Sequence, residues 1–199
     1  MMKKAFYCIL IFIFILNGCS LKREFINPNQ SLLLKDDKSL VSINFKKTNK
    51  ILKIRNIDTP LYLNSKHIIY LNRGFANKYA HYLWADLPSD LYSSLILSKF
   101  EQSQIFISAF SQVSSLKADY ILESKINAFN QIINLHENYV QISISVNFID
   151  LEKNQMIAHK NFSIKENIEK KDIYATHNAF EKALNTLTNE IVLWVNCNL

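Results

Sequence analysis

Cys19 is the residue whose type and neighbours point most directly to covalent chemistry. It follows Leu16-Asn17-Gly18, at the end of an apolar run from Ala5 to Leu16 that Lys3 and Lys4 precede. A thiol is nucleophilic enough to become a thioether at modest cost. A small residue beside it leaves the backbone open to a processing enzyme. A basic start, a short apolar core and a small residue before a cut point make a secretory signal peptide, here residues 1–18. The run is too short for a transmembrane helix, which needs roughly 20 apolar residues.

No other constellation in the chain promises a reaction. His67, His81, His136, His159 and His177 include no i, i+4 pair of the kind that builds a helical metal site. No serine sits in a G-x-S-x-G frame. Asp86 and Asp90 are i, i+4 on one expected helix, where capping and solubility explain them. The two glycines are Gly18 and Gly74, too few for a phosphate-cradling loop or a dinucleotide fingerprint. Of the three cysteines, Cys8 leaves with the signal and Cys19 is modified, so Cys197 has no intramolecular partner. The expectation is a protein that is not an enzyme and has neither metal nor cofactor, apart from a covalent group on Cys19.

Removing residues 1–18 from the 199 leaves 181, enough for one domain with a real core. The net charge falls from +6 to +4 as Lys3 and Lys4 leave. That mild excess serves solubility or proximity to anionic head groups. There is no Lys/Arg block interleaved with aromatics, so nucleic acid is not an expected partner.

Residues 19–50 read as a polar tether with a turn at Asn27-Pro28-Asn29. Ser31–Leu34 and Leu40–Phe45 are candidate short strands around Asp36-Asp37, so the second half joins the domain edge. About 30 residues fully stretched reach on the order of 100 Å. The domain itself is expected over 51–199. Ile51–Ile57, His67–Leu71 and Lys78–Trp84 read as strands, with a tight reversal at Asn72-Arg73-Gly74-Phe75. Asp86 and Pro88 open a helix that runs to about Phe100, with Leu87, Leu91, Leu95 and Ile96 as its buried stripe. Ile105–Phe110 and Asp119–Phe129 are strands.

Tyr139–Ile149 alternates most cleanly. Val140, Ile142, Ile144, Val146 and Phe148 face one way and Gln141, Ser143, Ser145 and Asn147 the other. After a turn at Asp150–Asn154, Gln155–Ile164 returns with Met156, Ala158, Phe162 and Ile164 on one face. A closing helix runs from about Asp172 to Val195. Ile173, Phe180, Leu184, Leu187, Ile191 and Trp194 line one stripe of it. The fold class is α+β: one domain, a mixed and mainly antiparallel sheet with two helices packed on it.

Tyr62, Tyr70, Tyr79, Tyr82 and Trp84 gather around Gly74. Core packing and strand propensity explain such a stretch. A partner-binding surface through Tyr62, Tyr70 and Trp84 is the sharper reading, because Tyr and Trp are enriched at interface hot spots.

Leu16-Asn17-Gly18-Cys19 resembles the lipobox of bacterial lipoproteins, whose cysteine takes a diacylglyceryl group and becomes the acylated N-terminus. Two or three chains on one residue anchor a protein firmly, whereas one holds only marginally. Ser20 in the next position favours the outer membrane over the inner. Three further phrases, Pro60-Leu61-Tyr62-Leu63, His67-Ile68-Ile69-Tyr70 and Trp84-Ala85-Asp86-Leu87, resemble the ABC-type transport auxiliary lipoproteins, a family that includes PqiC. The resemblance covers roughly Ile51 to Val195. It departs at Leu87-Pro88, where the family often has proline before leucine, and over Ser20–Lys50. It implies a non-catalytic component beside an MCE-type lipid transporter, facing the periplasm from the outer membrane. There it would contact the MCE-domain protein and align the conduit, as a monomer or homo-oligomer. A structural or assembly lipoprotein and a direct lipid carrier are the alternatives.

Overall fold

The computed structural model describes residues 30–42, 44–112, 114–170 and 172–199. The signal, Cys19 and the Asn27-Pro28-Asn29 turn lie outside these. Among the described residues are eight strands: β1 (Gln30–Leu32), β2 (Ile51–Ile54), β3 (His67–Asn72), β4 (Phe75–Trp84), β5 (Ser108–Ser111), β6 (Tyr120–Ile133), β7 (Asn138–Asp150) and β8 (Gln155–Asn167). There are two α-helices, α1 (Pro88–Ser103) and α2 (Ile173–Cys197). The molecule is an α+β fold with one mixed sheet, whose longest ladders are antiparallel.

β6 is the spine. One of its edges pairs antiparallel with β7 from Tyr120↔Asp150 to Ile133↔Asn138. The other edge is shared. Its first residues pair parallel with β2, at Leu52↔Tyr120 and Ile54↔Leu122. Its last pair parallel with β3, at Tyr70↔Gln131 and Leu71↔Ile132. Two arms therefore leave β6, β2–β5 on one level and β3–β4–β1 on the next. A bulge between Ile126 and Ala128 changes the parity of β6. Leu122 and Ile126 face the core before it, and Phe129 after it. An extra residue in one strand has that effect because side chains alternate with period two.

The reversal expected at Gly74 is present. Arg73 and Gly74 have φ of 50° and 85°, the left-handed pair that a two-residue hairpin turn requires and that glycine adopts without strain. The start of α1 differs from expectation. Leu87 occupies the cap position without a side-chain hydrogen bond, and Pro88 opens the first turn. Asp86 instead faces Lys66 at 3.5 Å. Asp172 does cap α2, accepting from the Ala175 amide at 2.7 Å. Residues 39–42 form a 3₁₀ turn where a strand was expected.

The expected α2 stripe is buried at Phe180, Leu184, Leu187 and Ile191. It lies against β7, whose Val140, Ile142, Ile144, Val146 and Phe148 are fully buried. β8 is less buried than its alternation implied. Met156 is exposed and Phe162 is its one fully buried apolar residue, because β8 is an outer strand paired only with β7. Trp84 is at the centre of the core, 1% exposed. Its ring stands edge-on to Phe129 and Phe180, at 5.7 and 4.9 Å between centroids. Such aromatic pairs add to the area they bury. The expectation of Trp84 as a surface contact is therefore corrected: its ring fills the space between sheet and helix.

Replacing Trp84 with alanine should cost about 3–5 kcal/mol in urea unfolding, the range for a large core residue. Tyr62→Ala should stay within about 0.5 kcal/mol of the parent, as surface changes do. A Trp84→Ala variant of parental stability would contradict this placement.

Candidate functional site

Residues 30–50 do not hang from the domain; they form a strap across it. β1 pairs parallel with β4 at Gln30↔Tyr82, Ser31↔Leu83 and Leu32↔Trp84. The chain then runs along α2, which reads its backbone with a polar stripe. His177 Nε2–H donates to the Leu33 carbonyl at 2.8 Å; a carbonyl only accepts, so this nitrogen carries the proton. The Lys35 amide donates to Glu181 at 2.9 Å. The Asp37 amide donates to Asn185 Oδ1 at 3.1 Å, and Asn185 Nδ2 donates to the Lys35 carbonyl at 2.8 Å. Asn189 donates to Ser39 at 2.6 Å, and the Lys46 amide donates to Asn196 at 3.0 Å. Residues 177, 181, 185 and 189 are four apart, so they share one helix face. Leu34, Leu40 and Phe45 enter the core from the same strap.

A buried ammonium fastens the strap to α1. Lys99 is fully buried. Its Nζ contacts Asp36 Oδ1 at 2.7 Å and Asp37 Oδ1 at 2.5 Å, with Ser39 Oγ at 3.5 Å. Burial alone would raise the Asp36 carboxyl. The ammonium, the Ser98 hydroxyl and the Lys38 amide outweigh it and bring that carboxyl down from 3.8 to about 2. Asp37 is opposed by burial in the same way and is also lowered, by Lys99 and by the Ser39 hydroxyl and amide. Lys99 sits where the stripe of Leu91, Leu95, Ile96 and Phe100 requires a buried residue. A lysine on an apolar stripe, with an Asp-Asp pair elsewhere in the chain, is the signal that sequence reasoning passed over.

The expected partner-binding residues do not form one surface. Tyr62 lies in a 3₁₀ turn beside exposed Leu61 and is 43% exposed. Tyr70 is half-buried and stands edge-on to Tyr79 at 5.4 Å. Burial raises the Tyr79 hydroxyl, against hydrogen bonds with Thr176 and Gln131 that lower it. Tyr79 and Tyr82 line a cleft of about 510 Å³ with Ile133, Ile173 and Tyr174, between β4, β6 and the start of α2. Trp84 faces away from any of this. Among the described residues no cluster of His, Cys, Asp or Glu is placed to hold a metal. No described helix is long and apolar enough to cross a membrane.

The clamp makes an asymmetric prediction. Asp36→Asn with Asp37→Asn strands a buried ammonium and should cost about 3–5 kcal/mol, whereas adding Lys99→Met should recover most of it, because a buried charge needs its partners more than the fold needs the pair. The parent should be at full clamp strength above pH 3.8 and lose it as pH falls towards about 2, since the Asp36 carboxyl is lowered in the folded state. Urea midpoints across that range check both; a double Asn variant as stable as the parent would refute the clamp.

Comparison with known proteins agrees with this architecture. A Xanthomonas campestris protein of the DUF330 family has a crystal structure matching with a TM-score of 0.72 at 17% identity, over 86% of this chain and 94% of that one. A hypothetical protein from Chlamydia trachomatis matches with a TM-score of 0.57 at 10% identity, over 75% and 96%. At these identities the likeness is one of fold. No curated protein sequence matches the chain. The sequence profile of one family, described as the ABC-type transport auxiliary lipoprotein component, spans residues 33–192. That span takes in the strap from Leu33, α1, α2 as far as Val192, and seven of the eight described strands, β2 to β8. The chain belongs to the ABC-type transport auxiliary lipoprotein component family.

Proposed function

We propose that this protein is a lipid-anchored, non-catalytic accessory of an ABC-type transporter, and that it docks the MCE-type component which carries lipid between membranes. The family match over residues 33–192 is the observation that carries the reading. Cys19 is the proposed lipid attachment point, and Ser20 favours the outer membrane, with the domain in the periplasm.

The strap supports a docking role. A domain tied by its own N-terminal segment to two helices stays within about 40 Å of its proposed anchor, the most that the steps from Cys19 to Gln30 can span. A docking protein gains from that limit, because a short leash raises the effective concentration of its surface for a partner in the same envelope. The absence of a reactive constellation in the sequence is consistent with a role in positioning. Tyr62, beside Leu61, and the partly exposed Tyr70 remain proposed contacts for the partner. Trp84 does not, because its ring is buried.

Affinity capture from gently solubilised envelopes, read by mass spectrometry, tests the proposal. The expected result is co-capture of an MCE-domain protein with its permease and ATPase, weakened by Tyr62→Ala. Cys19→Ser should release the protein from envelopes into the soluble fraction. Capture without any transporter component would contradict the docking role. A Cys19→Ser protein that still sediments with envelopes would contradict the anchor.

A further inference from the structure

We propose that the cleft between β4, β6 and the start of α2 takes a single acyl chain of a membrane phospholipid. The choice of a membrane lipid rests on the reading of the protein as the accessory of a lipid-carrying transporter. The alkyl class of the ligand rests on the lining itself.

An irregularity in β4 builds the walls. β3 and β4 pair at Ile69↔Lys78 and again at His67↔Leu83. Between these pairs β3 has one residue, Ile68, and β4 has four, Tyr79 to Tyr82. Side chains three apart in a regular strand point to opposite faces. The extra residues break that alternation, and Tyr79 and Tyr82 both line the cleft. Bulges re-aim side chains in this way beside functional sites. Ile133 of β6 with Ile173 and Tyr174 of α2 complete the apolar walls of a space of about 510 Å³, a volume typical of small-ligand pockets.

The polar groups of the lining are spent on one another. The Tyr79 hydroxyl donates to Gln131 Oε1, and Gln131 Nε2 donates to Asn138 Oδ1 at 2.6 Å. Asn138 Nδ2 donates to the Ile168 carbonyl at 3.4 Å, and the Thr176 hydroxyl to the Asp172 carbonyl at 3.0 Å. Gln131 and Thr176 are buried. An occupant therefore meets rings and aliphatic side chains over a floor whose polar side chains are already paired. A peptide segment would bring an amide donor and acceptor at every residue, and burying them without partners is costly. An alkyl chain brings no polar group and gains by leaving water. The one charged side chain of the described lining is Asp172. Its carboxylate disfavours the carboxylate of a free fatty acid, which the esterified chain of a phospholipid lacks.

The test uses the full mature protein in vesicles of phosphatidylethanolamine and phosphatidylglycerol. A trace of phosphatidylethanolamine carries a diazirine near the end of one acyl chain, and mass spectrometry of the peptides locates the cross-links after illumination. The expected result is labelling at Tyr79, Tyr82, Ile173 or Tyr174 well above that at the exposed Leu61 and Leu116. Tyr82→Asn and Tyr174→Asn should each remove more than half of it. Tyr174 is exposed, so Tyr174→Asn should keep the parental urea midpoint even if Tyr82→Asn does not. Calorimetric titration of the vesicle-free Cys19→Ser chain with lysophosphatidylethanolamines of decreasing chain length gives a second reading. Affinity should fall by up to about fourfold for each methylene removed, the equivalent of about 0.8 kcal/mol per buried methylene. Cross-links spread in proportion to exposure, or binding blind to chain length, overturn the proposal. So does a cleft labelled only in the Cys19→Ser chain, which would give it to the protein's own lipid, or one shielded by a captured protein with no lipid bound. Labelling at the cleft of a protein that captures no transporter component upholds the site and fails the reading as a transporter accessory. Capture with an unlabelled cleft fails the site alone.

Discussion

Lys99 carries its ammonium into the interior of the protein, and the carboxylates of Asp36 and Asp37 make that position tolerable. An isolated buried charge costs far more than marginal protein stability can absorb. The two residues that neutralise it come from the strap, over sixty positions earlier in the chain. The strap therefore cannot leave without stranding a charge, and the charge cannot be housed without the strap. Such a pair adds little net stability compared with apolar side chains of the same size. What it supplies is a unique seat for one segment, and the polar stripe of α2 extends that seat from Leu33 to Lys46.

That seat changes what the N-terminus can do. From the proposed anchor at Cys19, a loose tether to Lys50 would let the domain wander on the order of 100 Å. With residues 30–50 laid on the helices and β1 added to the sheet, the stretch between Cys19 and Gln30 sets the reach instead, at no more than about 40 Å. The spine strand β6 and its partner β7 are themselves about 45 Å long at strand rise, so the domain is as tall as its leash.

Most of the frame was readable from residue patterns because the physics there is local. Val140 to Phe148 alternate in a strand buried on one face, and the turn at Arg73-Gly74 needs left-handed backbone that glycine provides. The α2 stripe repeats at helical spacing. What escaped was set by distant partners. The bulge at Ile126 flips which side of β6 is buried, and no residue type there announces it. Lys99 stands in step with an apolar stripe, but only the fold brings Asp36 and Asp37 to it. Trp84 reads equally well as core or contact from its type alone; only the meeting of β4, β6 and α2 decides for the core. His177 falls at helical spacing between Ile173 and Phe180 of the apolar stripe, yet it is the first of the polar residues that read the strap's backbone.

The claim on which the rest depends is that the strap is part of the folded body. Hydrogen exchange of the native protein tests it most directly, at the amides of Lys35, Asp37 and Lys46, which donate to Glu181, Asn185 and Asn196. The account predicts protection approaching that of the β7 ladder, lost only when the domain opens as a whole. Exchange at the rate of an unstructured peptide, with β7 still protected, would contradict it.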